Sequence, residues 1–304
     1  DAGKMMWKGE WAAQWARWKV SSEGAGKEYV VPTSAWWVNA EIVERILKFP
    51  MPVPIFYEHL MIDGKKMSAS LGNVVYPREW LDVAPPELLR FFYNKKLMKT
   101  RSFSWKNLPM LYDDYDLHAG VYYGKGNKNE RERKHMERLY EISQLGDINR
   151  QLNLSFSHAA VISQFFKDRR AIIESLKRLG IYDEKILDDT LERIELAGNW
   201  VQKHAPEEQR INLDVDIASV RAKLNDRQKS FLGELSGWLE REHSAEQIHE
   251  KIYEISKEMK LPGGDAFQAV YIALLDRREG PKAGAFIASL DRDWVVKRFV
   301  EVSK

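Results

Sequence analysis

Short strand-forming runs stop before about residue 106, and from there to residue 304 the chain offers only helical periodicity. The switch excludes one sheet running through the whole molecule. It predicts a mixed α/β part, residues 1–105, followed by an all-helical part, residues 106–304, with helix dominating overall. At 304 residues the chain is long enough for two domains and a substantial core.

In the first part, Trp7, Trp11, Trp15 and Trp18 recur at spacings of four, four and three, which is one face of a helix. The stripe reads as core, or else as a pocket wall beside Glu10 and Arg17. "GAGKEYVVP" predicts a tight turn beside a short strand, and "NAEIVERILKF" an amphipathic helix with Asn39 as N-cap. "MPVPIFYEHLMIDGKKMS" predicts strands at Ile55–Tyr57 and Leu60–Ile62, with Asp63-Gly64 as a turn. Lys65 and Lys66 follow, then a loop with Ser68, Ser70 and Gly72-Asn73, a strand at Val74–Val75, and Pro77 opening a helical turn. Two ammonium groups, two hydroxyls and loop N–H groups between rigid ends are suited to holding an oligophosphate and to neutralising a departing pyrophosphate. A solvated basic turn would use the same residues.

The helical part begins with a basic, aromatic connector: Lys95, Lys96, Lys99, Arg101, Trp105 and Lys106. Cations interleaved with aromatic rings suit an RNA backbone and stacked bases. From Lys125 to Arg138 six Lys/Arg stand against three Glu, a local net of +3, while the whole chain carries +2. Lys128, Arg131 and Arg133 are therefore candidate phosphate contacts. "SFSHAAVISQFFKD" predicts a helix burying Val161 and Phe165, with His158 on it, and a long helix stops before Pro206. Ser244 and Gln247 stand at capping-box spacing, Gly263-Gly264 reads as the close of that helix, and the last helix should turn Trp294 inward and Lys297 and Arg298 outward. The histidines have no ligand partners at metal-site spacing, so no metal site is expected.

With charges so nearly balanced, no global field draws in a polyanion and any nucleic-acid contact must be local. The absence of cysteine excludes disulfides and thiolate metal sites and fits a reducing compartment. No apolar run approaches the roughly 20 residues of a membrane span. The chain opens at Asp1 rather than Met, as expected of a fragment or a processed product.

"KMSAS" followed by "LGN" resembles the KMSKS-type signature of class I aminoacyl-tRNA synthetases. With "GKEYVVPTSAWWVNAEIVERI", "PPELLRFFYNKK", "AGNWVQKHAPEE", "AFQAVYIALL" and "REGPKAGAFIASLDRDWVVKRF", the chain from about residue 4 onward is similar to the archaeal-type class I lysyl-tRNA synthetases. The resemblance implies the C-terminal part of a class I Rossmann-type catalytic domain over 1–105 and an α-helical anticodon-binding domain over 106–304. It implies a cytoplasmic lysine–tRNA ligase that uses ATP with Mg2+, L-lysine and tRNA(Lys). Lys65, Lys66, Ser68 and Ser70 would be catalytic, and Gly26, Glu28, Lys66 and Met67 would hold ATP. Glu10, with Trp11, resembles an acidic position facing the substrate lysine.

Three departures stand beside it. No His-x-Gly-His string of the HIGH type occurs among the seven histidines. Ala69 and Leu71 occupy positions where a second lysine is found in the signature or in the lysyl family. Tyr29 replaces a frequent histidine, and "TSAWW" a Gly/Ser-rich acidic stretch. The alternative is a non-catalytic tRNA-binding protein of the same descent, to which Ala69 and the missing first half of the nucleotide-binding fold, where the family carries the HIGH-type string, both point.

Overall fold

The computed structural model describes residues 6–96, 99–146, 148, 151–211 and 216–304. Its first unit is a β-α-β crossover. Helix α1 (Trp7–Trp18) precedes β1 (Ser22–Gly26), α2 (Ala35–Arg45) and β2 (Val53–Tyr57), and β1 pairs parallel with β2 from Ser22↔Val53 to Gly26↔Tyr57. Trp11, Trp15 and Trp36 form its buried centre, with ring centroids 4.8–5.2 Å apart. Trp7 and Trp18 lie exposed, so the indole stripe is core only in its middle. Gly24-Ala25-Gly26 is strand rather than turn, and "YVVP" contributes no strand.

Asn39 is not an N-cap. Helix α2 begins four residues earlier, behind Ser34, and Asn39 lies buried in its middle. Its Oδ1 accepts from the Ala12 N–H at 2.9 Å and its Nδ2 donates to the Ala35 carbonyl at 2.7 Å, joining α1 to α2. The outer residues of β2, Val53, Ile55 and Tyr57, stay exposed.

The second unit centres on a three-stranded sheet in the order β4 (Lys65–Lys66), β3 (Leu60–Ile62), β5 (Arg101–Phe103), antiparallel then parallel. Asp63 and Gly64, with φ of 49° and 78°, make the tight turn between β3 and β4 that the Asp-Gly pair favours. Val74–Val75 forms no strand. Around the sheet pack α3 (Pro77–Leu81), α4 (Pro86–Asn94), α5 (Leu108–Tyr122), α6 (Glu130–Ser143), α7 (Phe156–Phe165), α8 (Arg169–Arg178) and α9 (Leu187–Lys203). One continuous core runs from Ile62, Trp80, Leu88 and Phe91 to Tyr112, Phe156 and Trp200. A boundary at 105/106 passes through that core, because the sheet is too small to bury its own apolar face.

The third unit is helical: α10 (Ile217–Ala222), α11 (Asp226–Trp238), α12 (Ala245–Glu258), α13 (Gly263–Leu275), α14 (Ala283–Ser289) and α15 (Arg292–Ser303). Ser244 and Gln247 form the reciprocal capping box read from their spacing. Gly263 and Gly264 open α13 rather than close α12, which ends where Lys260 takes a φ of 51°. Arg298 turns inward, 8% exposed, with its guanidinium over the Trp294 ring. Lys297 faces solvent.

Candidate functional site

Residues 63–73 leave the sheet as a clasped loop. The Met67 N–H donates to the Leu60 carbonyl at 2.8 Å, and its side chain packs on the second core, fixing the loop's base. A 3-10 turn, Ala69–Leu71, follows, and Gly72 at φ 68° reverses the chain. Asn73 then reaches back. Its Oδ1 accepts from the Ser68 N–H at 2.9 Å and its Nδ2 donates to the Lys66 carbonyl at 3.0 Å. Ser68 Oγ and Ser70 Oγ lie 2.9 Å apart at the tip.

The Ser68 N–H is already bonded, so it reaches an anion only if Asn73 lets go. Lys65 and Lys66 are both exposed but are consecutive on a strand, paired with Ile62 and Met61, so they leave the sheet on opposite faces and do not converge. Asn73 was visible only as part of a Gly-Asn turn; its clasp depends on the loop's return path.

Gly26 ends β1 and Glu28 lies in the turn after it, with the carboxylate folded back over Gly26, where a methyl group would meet it. Glu28 is half-exposed, 4.0 Å from His59, and Lys27 pairs with Glu58 at 2.7 Å. Trp11 does not partner Glu10. Its indole donates to Glu23 at 2.8 Å, and Trp15 donates to the same carboxylate. Glu23, on β1, is thus held by two indoles and was missed by sequence reasoning. Glu10 accepts a long bond from Gln14 at 3.4 Å, while its Oε2 is buried without a partner among the described residues.

The candidate RNA-contact residues separate. Arg101 is buried and donates to the Tyr93 carbonyl at 2.6 Å, so it serves the fold rather than a solvent-side phosphate. Lys95 is paired with Asp114, while Lys96 and Lys99 are exposed. On α6, Arg133 pairs with Glu137, Lys134 with Glu130 and Arg138 with Glu141, leaving Lys125, Lys128 and Arg131 as exposed cations of this segment without an ion pair among the described residues.

Behind the loop, the last turns of α9 are bolted to α3 and its surroundings. Asn199 donates to the Asp82 carbonyl at 2.9 Å, Lys203 to the Asp82 carboxylate at 2.8 Å, and the Trp200 indole to the Trp105 carbonyl at 2.7 Å. The His204 ring stacks on Trp105 at 4.1 Å and 11°. Lys203 holds the Asp82 carboxyl below the usual carboxylate range, and partial burial next to Lys203 lowers the His204 imidazole. The string "AGNWVQKHAPEE" thus marks a seam between the loop-bearing unit and the helices.

Two family models match successive stretches of the chain, with limits that fall inside the second unit. Residues 1–146 match the family model described as tRNA synthetases class I (K), and residues 182–302 match the model described as anticodon binding domain. The lysine–tRNA ligase of Methanosphaera stadtmanae is 30% identical across 98% of this chain and 60% of its own length. That of Haloarcula marismortui is 31% identical across 98% and 54%, and that of Thermococcus kodakarensis 31% across 97% and 58%. The chain spans somewhat more than half the length of these relatives.

Proposed function

Because the chain belongs to the archaeal-type class I lysyl-tRNA synthetase family, we propose that it is the portion of a lysine–tRNA ligase whose loop acts on ATP during lysine activation and whose helices hold tRNA(Lys). The observation that carries this reading is the loop 63–73: a cationic, hydroxyl-tipped segment on a hairpin, clasped by the Asn73 side chain. Activation joins the lysine carboxylate to the α-phosphate of ATP and expels pyrophosphate. Negative charge grows on the leaving group, and an ammonium positioned there stabilises it more than it does bound ATP. Lys66, the first lysine of the signature, takes that role, with Ser68 and Ser70 as hydroxyl donors. Mg2+, carried in with the triphosphate, would neutralise further phosphate charge; among the described residues no group of three His, Asp or Glu is arranged to hold a metal ion. A cytoplasmic location belongs to the same reading, and among the described residues no helix is long and apolar enough to cross a membrane.

The second reading, a non-catalytic tRNA-binding protein, is favoured by Ala69 and by the divergence of Lys65 and Lys66. Lysine-dependent ATP–pyrophosphate exchange separates the two. Residues 1–304 alone, lacking a HIGH-type string, should show none. In a protein completed with the rest of the family's length, Lys66→Ala should lower exchange by roughly 10²–10³-fold, as loss of a transition-state donor does, and Lys65→Ala by far less. Equal losses at both would refute the division of the lysines, and no exchange in the completed protein would leave the second reading. Ala69→Lys should raise the rate with lysine affinity nearly unchanged.

A further inference from the structure

A recess of about 310 Å³ opens inside the second unit where α4, α5, α6 and α9 meet, and the loop site does not use it. Its walls include Tyr112, Tyr115 and Tyr140, all buried. Two of their hydroxyls are spent within the protein: Tyr112 donates to the Val83 carbonyl at 3.1 Å, and Tyr115 accepts from the Gln144 amide at 3.0 Å. What these residues leave for an occupant is ring surface.

Four carboxylates line the recess, Glu87 from α4, Asp116 from α5, and Asp189 and Glu192 from α9, against one cation, Arg193. That is a formal −3 within a chain whose total is +2. Arg193 is already committed. It is buried, donates to both oxygens of Asp116 at 2.6 and 2.9 Å, and donates again to the Leu154 carbonyl at 2.9 Å. Glu87, Asp189 and Glu192 have no ion pair among the described residues. Burial raises the Asp116 carboxyl even beside Arg193, which marks surroundings poor in water, where uncompensated charge is felt most. One more acceptor stands on the wall: Gln151 Oε1 is buried without a hydrogen-bond partner among the described residues. Gly120 lets that amide lie close against α5, since a methyl group there would come within 3.2 Å of its nitrogen. A buried acceptor so placed is costly until a donor reaches it.

We propose that this recess binds a linear polyamine, its methylenes along the tyrosine rings and its ammonium groups at Glu87, at the Asp189–Glu192 pair and on Gln151 Oε1. Ammonium groups are attracted to aromatic faces as well as to carboxylates, and the volume lies at the lower end of the roughly 300–1,000 Å³ of small-ligand sites. The free carboxylates come from two helices, and among the described residues no three His, Asp or Glu gather to hold a metal ion. Charges spread in this way suit a chain of spaced cations rather than a point ion, which needs its oxygens converged. A net positive protein has no global pull on a polycation, so the attraction is local to the recess.

Isothermal titration of the full chain with spermidine, at physiological salt so that diffuse attraction is screened, should give one saturable site. Asp189→Asn with Glu192→Gln, both exposed and so harmless to the core, should weaken it about tenfold or more. Glu250→Gln with Glu258→Gln removes the same charge from exposed positions of α12 and should weaken it less than about twofold. Gln151→Met keeps the volume without the acceptor; it should weaken spermidine about tenfold while leaving the melting temperature no lower, because the fold gains nothing from an orphaned oxygen. Equal losses in the two double variants would show diffuse attraction and overturn the recess. Mg2+ displacing spermidine at equal concentration would make it a point-cation site, and a trilysine peptide binding more tightly than spermidine would move the ammonium groups to a partner protein's side chains; either result overturns the free polyamine. A folded chain that shows no saturable binding overturns the proposal outright and leaves the lysine–tRNA ligase reading untouched.

Discussion

Asn73→Ala isolates the clasp. The substitution removes two hydrogen bonds, one accepted from the Ser68 N–H at 2.9 Å and one donated to the Lys66 carbonyl at 3.0 Å. A neutral intramolecular hydrogen bond contributes about 0.5–1.5 kcal/mol net. Both bonds lie at or near the surface, where water replaces them cheaply, so their sum is taken at the low end, about 1–2 kcal/mol. That corresponds to roughly a 5–30-fold shift in the open population of the loop. Amide hydrogen exchange should therefore accelerate by about that factor at Ser68 and leave Met67 nearly unchanged, since the Met67 N–H bonds to Leu60 within the hairpin. Asn73→Asp should fall between the wild type and Ala, because a carboxylate still accepts from Ser68 but faces the Lys66 carbonyl without a proton. The melting temperature should not move, as loop opening is local. Unchanged exchange at Ser68 in the Ala variant, or equal acceleration throughout the hairpin, would refute the clasp as the loop's latch.

Other tests follow from packing. Asp116→Asn strips the buried Arg193 of a bidentate partner at 2.6 and 2.9 Å, and urea denaturation should show a loss of about 3–5 kcal/mol; a loss below about 1 kcal/mol would mean that water reaches the pair. Burial holds the His158 imidazole below its ordinary range. The unfolded chain then takes up a proton first as pH falls, so stability should be full above about pH 6.5 and decline below it; His158→Asn should flatten that decline in denaturation curves at pH 7.5 and 5.5. A fragment of residues 59–304 keeps the second core whole, whereas residues 106–304 lose Trp80, Leu88 and Phe91 from it. Near-ultraviolet dichroism should therefore report fixed tertiary packing in the first and its loss around Trp200 in the second.

How far the sequence could be read depended on how far apart the deciding partners lie. The Asp63-Gly64 turn and the Ser244/Gln247 capping box were legible because each closes within four residues. Asn39 looked like a cap because asparagine favours caps, but its partners are Ala12, 27 residues away, and a carbonyl of its own helix. Val74–Val75 has strand propensity, yet no strand lies beside it to pair with. Charge favours the surface for Arg101 and Arg298, yet one finds a carbonyl and the other an indole face, and a long aliphatic stem makes such burial tolerable. Within the loop the residue types were evident from "KMSAS", but the opposed exits of the two lysines depend on β4 pairing with β3, and the clasp on a chain reversal at Gly72.

The seam also limits which pieces of such a protein can be exchanged. Asn199, Trp200, Lys203 and His204 close on Asp82 and Trp105 across separations of about 100 residues. A chimera that takes its helices from one relative and its loop-bearing unit from another, joined at residue 105, would inherit the two sides of this contact from different parents. Each side would then face a surface it was never selected against. Junctions after α9, in the stretch that leads to α10, leave both sides with one parent, so the interchangeable helical module begins near residue 206, and the first five helices after β5 travel with the loop.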